Sequence, residues 1–345
     1  MPMEPWSVVL AGGIGSRFWP LSTPERPKQL LPLVTDQPML LDTLDRLAPL
    51  VPPERTLVLT NASLVESIRR IAPGLPRANV ISEPRPAGTA AALTWAAQEV
   101  SRRSSRETVI VSVHADWAIG DVAAFRAALA AAATAAQAHH ALVTVGLVPT
   151  HPDSSLGHIV PGDAVEGDLR RVARFVEKPD KDRAVRLTQE GALWNSGIFA
   201  WRAGDILEEV SARCPEVASA LEAHPADPDA FFAAVTPVAI DVGVLERSER
   251  VLVLPGSFGW NDVGTWSALR AVRKHDADGN VPAGLVYLRD SRGMVVYSDG
   301  PAVVCYGVED LVVVVANGTT LVTTVERAPD MKSLLASLPE SVRGP

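Results

Sequence analysis

A short apolar run, Trp6–Leu10, breaks off into Ala11-Gly12-Gly13-Ile14-Gly15. The run suits one buried strand, and the glycines mark a loop where backbone passes close to something. In α/β proteins the loop that leaves the first strand is where phosphates gather, on bare N–H groups. Two cations follow, Arg17 and Lys28, with no acidic residue between Ala11 and Pro24. A triphosphate needs such cations over the oxygens that backbone N–H groups cannot neutralise. The loop could equally be a structural turn, but two named alternatives fail on spacing. Counted from Gly13, the last glycine of Gly-x-Gly-x-x-Gly would fall on Phe18, and no Gly-Lys-Ser/Thr completes a P-loop. Nor does an acidic residue close a second strand about twenty residues on, as a nicotinamide site requires.

With 345 residues the chain is long enough for one large domain and a smaller one. From Trp6 to about Trp266, strands alternate with helices, the pattern of a mainly parallel sheet covered on both faces. Strands are expected at 7–10, 56–60, 80–82, 108–113, 141–146, 197–201 and 251–255. Helices are expected at 40–47, 63–71, 90–103, 122–138, 181–190, 203–213 and 265–274. The alanine-rich stretch 122–138 admits only a helix, with Asp121 as its N-cap and His139-His140 at its end. Beyond a linker at 275–283 come five short β-rich runs between 284 and 325, each bounded by turn residues, and a final helix at 329–338. This gives an α/β domain over 1–278 and a small all-β domain over 279–345, either sandwich or solenoid.

The net charge is −8 and no long basic run interrupts it, which excludes a nucleic-acid surface. The longest apolar stretch, Leu311–Ala316, is too short to span a bilayer, and the first apolar run is too short for a signal peptide. Cys214 and Cys305 form no CxxC pair and read as thiols of a reducing compartment. The expectation is a soluble cytoplasmic protein that binds neither nucleic acid nor membrane.

Candidate chemistry recurs at strand ends. Asp116, in Ser112-Val113-His114-Ala115-Asp116, follows an apolar strand and reads as a Mg²⁺ ligand beside phosphates or as a turn aspartate. Asp262, in Trp260-Asn261-Asp262-Val263-Gly264, could complete a two-carboxylate cation site or cap the following helix. Glu177 and Asn195 suit sugar hydroxyls and Lys178 a phosphate monoester, although the three also read as a surface ion pair and a turn. No Ser/His/Asp or Cys/His constellation stands out.

Taken together, LAGGIGSRFWPLSTPERPKQ, EPRPAGTAAA, VHADWAI, FVEKP, LWNSGIF, AIDVGVLER and GWNDVGTW, from residue 10 to 266, resemble the sugar-1-phosphate nucleotidylyltransferases. Arg-Phe-Trp-Pro-Leu-Ser is similar to the wording of the guanylyl branch, which acts on mannose 1-phosphate. The resemblance implies a Rossmann-like nucleotide-binding domain with a small C-terminal β domain, often a left-handed β-helix in this branch. It implies GTP and a sugar 1-phosphate as substrates, Mg²⁺ as cofactor, and a homodimer. By the same resemblance, Gly12 and Gly13 lie along the nucleotide, Glu83, Gly88 and Thr89 belong to the base pocket, and Arg17 and Lys28 act on the phosphates. Asp116 and Asp262 hold the metal, while Gly157, Glu177, Lys178, Asn195 and Asp241 take the sugar phosphate. A manno-heptose or glucose 1-phosphate enzyme, or a non-catalytic nucleotide-sugar-binding regulator, are the rival expectations. One departure is His114-Ala115-Asp116-Trp117, where the family usually has Pro-Ala-Asp-His.

Overall fold

The computed structural model describes residues 4–13 and 15–343. Contacts divide the chain into two compact units, each assembled from separate stretches. The first takes Met1–Gly12, Leu44–His114 and Asp121–Trp260, and the second Gly13–Thr43, Ala115–Gly120 and Asn261–Pro345. This grouping differs from a division at 278, because the apolar side chains after the glycine loop share a core with the C-terminal strands.

The first unit holds nine strands: β1 (Trp6–Leu10), β2 (Thr56–Asn61), β3 (Val80–Glu83), β4 (Val109–His114), β5 (Leu142–Leu147), β6 (His158–Glu166), β7 (Leu169–Val176), β8 (Leu193–Arg202) and β9 (Val251–Gly256). They form one sheet in the order β3-β2-β1-β4-β8-β5-β9-β7-β6. β1 to β4 run parallel, as do β5 and β9, and β8 lies antiparallel between β4 and β5. The parallel strands are rich in apolar residues because helices cover both faces, and Val8, Val9, Leu57 and Val58 have no exposed surface. The helix Val122–His139 starts on Asp121, whose carboxylate accepts from Ala124 N at 2.9 Å, and ends at His140 in a left-handed conformation.

Three features of this unit depart from the sequence expectation. The hairpin β6–β7 lies where no strand was expected, since its apolar residues are interrupted by Pro161, Gly162 and three arginines and many of its positions are exposed. β8 begins at Leu193, so Leu193–Gly197 is strand and not a turn. Helices Pro215–Ala223 and Pro228–Ala234 each start on a proline at the first position, and a five-residue π turn, Asp241–Leu245, follows them.

In the second unit six strands follow one another: β10 (Val281–Ala283), β11 (Val286–Arg289), β12 (Val295–Ser298), β13 (Val303–Tyr306), β14 (Leu311–Ala316) and β15 (Thr319–Thr324). Successive strands alternate between two small sheets, β10-β12-β14-β15 and β11-β13. Each stacks in parallel on the strand two before it, as Val281 on Val295 and Val295 on Val312. Only β15 turns back antiparallel, through Asn317 and Gly318, both with positive φ. That is a coil and not a sandwich of hairpins. The expected linker at 275–283 ends in strand β10, preceded by a turn that the Asp276 carboxylate closes on Asp278 N and Asn280 N. The expected helix at 265–274 is a 3₁₀ turn, Trp266–Ala268, running into the short helix Leu269–Val272. Phe18, Leu21, Leu31, Trp266, Val281, Val295 and Val312 form one core, with the Phe18 ring edge-on to Trp266 at 5.2 Å.

At the far end of β8 in the first unit, the Asp205 carboxylate, 1% exposed, binds Arg202 Nε at 2.7 Å and Arg250 Nη2 at 3.0 Å. Burial alone would raise its pKa, but the two guanidiniums hold it below the ordinary carboxylate value. Removing this carboxylate leaves the buried Arg202 guanidinium with only the exposed Glu107 as its anionic partner. Asp205→Ala is therefore expected to lower unfolding free energy by about 3–5 kcal/mol. Urea denaturation reads this directly, and a loss below about 1 kcal/mol would contradict the assignment.

Candidate active site

In the first unit, strand register lines up the carboxyl ends of β1 to β4. Leu10 stands beside Leu59 and His114, and Asn61 beside Glu83. β1 sits between β2 and β4, so the edge at its end is a topological switch point, where open α/β sheets bind ligands. Gly12 lies there: its carbonyl accepts from Asn61 Nδ2 at 3.1 Å, and a side chain on it would stand 3.6 Å from Glu83 Oε1. Glu83 is 8% exposed, and burial pushes its carboxyl up to about 7. Gly88 opens the helix Gly88–Arg103 with φ +82°, and a Cβ on it would lie 2.3 Å from Val238 O, so no other residue fits. Thr89 Oγ1 accepts from Ile240 N at 2.9 Å. These two residues thus seat segment 238–240 on the helix start, immediately before Asp241.

A second group forms at the same edge, because β8 runs antiparallel and brings its beginning to the end of β5. Asn195 stands beside Gly146, and its backbone N–H donates to Gly157 O at 2.8 Å. The Asn195 side chain donates to Asp241 Oδ1 at 2.7 Å. A side chain at Gly157 would meet Glu177 Oε2 at 2.9 Å, so glycine there keeps the carboxylate in place. Lys178 binds Glu177 at 2.6 Å from a left-handed backbone, φ +39°, rare for a non-glycine residue. Burial raises the Asp241 pKa, and the nearby Glu177 adds to this against the Asn195 hydrogen bond. Gly157, Glu177, Lys178, Asn195 and Asp241 are therefore one constellation.

The second unit carries the other five candidates, Gly13, Arg17, Lys28, Asp116 and Asp262. Lys28 is 7% exposed, and its ammonium donates to Asp116 Oδ2 at 2.9 Å and to the backbone carbonyl of Asp262. Gly15, φ +65°, lies against Lys28 so closely that a Cβ would meet Lys28 Cβ at 2.4 Å. Gln29 Nε2 donates to Gly13 O at 3.0 Å. A side chain at Gly264 would stand 2.9 Å from Asp262 Oδ2 and 3.1 Å from Arg17 Nη1, so this glycine clears space beside a carboxylate and a cation. Asp262 does not cap the following turn, because Thr265 Oγ1 takes that role on Ala268 N. Instead Asn261 Oδ1 accepts from Val263 N at 2.7 Å, and Val263, fully buried, is held at φ +47°. A β-branched residue in that region is strained, and such strain collects at functional sites.

Sequence reasoning assigned no role to Asn61, Gln29 or Asn261. For two of them a signal was available, since Gln29 and Asn261 are amides directly adjacent to Lys28 and Asp262. Asn61 offered less, being marked only as the polar residue that ends the apolar strand β2. Among the described residues no group of three or more His, Cys, Asp or Glu side chains could hold a metal by itself. Two aspartates beside phosphate oxygens and water match what Mg²⁺ takes, since it rarely uses an all-protein cage. Hard carboxylate oxygens are the right donors, so the residues present fit the ion.

Among the described residues no helix is long and apolar enough to cross a membrane. The mannose-1-phosphate guanylyltransferase of Escherichia coli (strain K12) is 36% identical over 353 residues, covering 96% of this chain and 73% of that protein. The alginate biosynthesis protein AlgA of Pseudomonas putida is 34% identical over 352 residues, covering 97% and 72%. A crystal structure from Thermus thermophilus, described as a mannose-1-phosphate geranyltransferase, superposes with a TM-score of 0.89 at 36% identity, over 97% of this chain and 99% of that one. The nucleotidyl transferase family model matches residues 6–279, and the chain belongs to that family.

Proposed function

We propose that this chain transfers GMP from GTP to α-D-mannose 1-phosphate, giving GDP-mannose and pyrophosphate. The observation that carries the proposal is the buried Lys28 ammonium held between Asp116 and the Asp262 carbonyl, next to a glycine loop. Relatives at 34–36% identity named for this chemistry or for a sugar-polymer pathway support the choice of substrates.

In the reaction an oxygen of the sugar phosphate attacks the α-phosphorus of GTP. A new P–O bond forms there, the bond to the β-phosphate bridging oxygen breaks, and pyrophosphate leaves with the electron pair. The attacking monoester is largely ionised at neutral pH, its second pKa being about 6, so no general base is required. The barrier lies in bringing two polyanions together. A pair of unit charges 4 Å apart costs roughly 4 kcal/mol at an effective dielectric near 20. Arg17 and Lys28 offset that repulsion and stabilise the charge that develops on the leaving group. Asp116 and Asp262 would hold Mg²⁺, which when bound adds charge neutralisation at the phosphates. Gly12 and Gly13 let the nucleotide approach the backbone, and Gly88 and Thr89 shape the base pocket. Ionised Glu83 accepts from the paired N–H donors on the Watson–Crick edge of guanine, an edge adenine and the pyrimidines do not present. Asn195, Asp241, Glu177 and Lys178 orient the sugar phosphate over Gly157.

The direct test is pyrophosphate release from four nucleoside triphosphates crossed with a panel of sugar 1-phosphates, where GTP with mannose 1-phosphate should give the highest kcat/KM. Preference for glucose or manno-heptose 1-phosphate would replace the acceptor. No release with any pair would overturn the assignment.

Lys28→Ala, Arg17→Ala and Asp116→Ala should each lower turnover by about two orders of magnitude, the scale of one lost preorganised contact. Rates within about threefold of wild type for all three would refute the mechanism.

Glu83 adds a pH signature. Its folded pKa, about 7, lies above the ordinary 4.5, so the folded state holds this proton more tightly than the unfolded chain. The stability it contributes is complete below pH 4.5 and is lost as pH rises to about 7. GTP binding pulls the other way, because it needs the carboxylate ionised. KM for GTP should therefore rise as pH falls below about 7. Glu83→Gln should flatten both profiles, and a variant that keeps the wild-type profiles excludes Glu83 from both roles.

A further inference from the structure

We infer that Glu246, one π turn beyond Asp241, is a further substrate-contacting residue of the sugar 1-phosphate site, accepting a hydrogen bond from a hydroxyl of the sugar. The inference rests on the functional reading above and extends it to a residue outside the motif roles already given.

The backbone supplies the first argument. In the turn Asp241–Leu245 the Glu246 N–H reaches back five residues to Asp241 O, at 2.8 Å. An α-helix has 3.6 residues per turn, so there the residue five ahead points well away from the first. The wider turn brings the two carboxylates back toward one face, and single π turns concentrate at functional sites. Asp241 is already fixed to Asn195.

The second argument is the groove that Glu246 lines, about 250 Å³, between the end of β7 and the segment leaving the π turn. Phe175 lies in its wall, two residues before Glu177, with Arg174 and Ser248 alongside. The lining therefore combines an acceptor-only carboxylate, a guanidinium donor, a hydroxyl and an aromatic ring. A polyhydroxylated ring uses each of them: O–H groups donate to the carboxylate, its oxygens accept from the donors, and its C–H face covers the ring.

Glu246 is also left free for this work. The adjacent Arg247 is committed to Glu216 through both terminal nitrogens, at 2.7 and 3.0 Å. Among the described residues Glu246 forms no ion pair, although it is exposed. Partial burial, then Asp241 and Glu177, raise its pKa.

Steady-state kinetics of wild type, Glu246→Gln and Glu246→Ala test the inference, with melting curves checking that each variant is folded. Both variants should raise KM for the sugar 1-phosphate about tenfold while KM for GTP stays within about twofold, since a hydrogen bond to a charged group is lost. With a series of monodeoxy sugar 1-phosphates, one position should cost wild type about tenfold in kcat/KM and cost Glu246→Ala nothing further. Unchanged KM in both variants, or losses that simply multiply, overturn the inference while leaving the functional reading intact. Wild type inactive with every nucleotide and sugar pair overturns the functional reading, and this inference with it.

Discussion

A buried ammonium must find an anion or carbonyl oxygens, and much of the second unit answers to that demand from Lys28. Its nitrogen joins the Asp116 carboxylate to the Asp262 carbonyl, and so three stretches of chain far apart in sequence. Several local oddities become necessary once this bond is granted. Gly15 is glycine because the Lys28 backbone and Cβ fill the space a side chain would need. Val263 accepts an unfavourable φ, with Asn261 bracing it, beside the residue whose carbonyl meets the ammonium. A full charge at 7% exposure is tolerable only with such partners, and here they are groups that also suit a phosphate or a cation.

In the first unit the corresponding constraint is strand direction. Four parallel strands end at one edge, which delivers Gly12, Asn61, Glu83 and His114 there without long loops. β8 is the exception that adds a second chemistry. Running the other way, it begins where its neighbours end, and so delivers Asn195 to Gly157, Glu177 and Asp241. Reversing that one strand in a parallel sheet would carry Asn195 to the opposite edge.

How far the sequence revealed this depends on the kind of signal. Buried strands such as Trp6–Leu10 and Val109–His114 are mostly apolar, broken within only by Ser7 and Ser112, and could be read directly. The hairpin His158–Val176 could not, because Pro161, Gly162, Arg170, Arg171 and Arg174 leave no apolar period, and it joins the sheet through Leu252 and Val253, distant in sequence. The same cause hid the start of β8: Asn195-Ser196-Gly197 has turn composition, yet Ser196 is buried with its hydroxyl donating to Val145 O. Candidate site residues stood out where their type is chemically costly, as with Arg17, Lys28, Asp116 and Asp262. The Lys28 contact with Asp262 was not visible, since it uses a backbone oxygen, to which any residue type could contribute. Nor does a π turn have a composition of its own, which kept Glu246 out of view.

The way the two units share the chain has a consequence for synthesis. Every strand of the nine-stranded sheet lies before residue 257, so that sheet can close while the remainder is still being made. The second unit cannot, because Phe18, Leu21 and Leu31 have their core partners at Val281, Val295 and Val312. On the ribosome, then, the segment bearing Arg17 and Lys28 must wait exposed for some 250 residues of elongation, a delay of tens of seconds at ~5–20 residues per second. A protein built this way cannot order its lysine before the C-terminal coil has emerged.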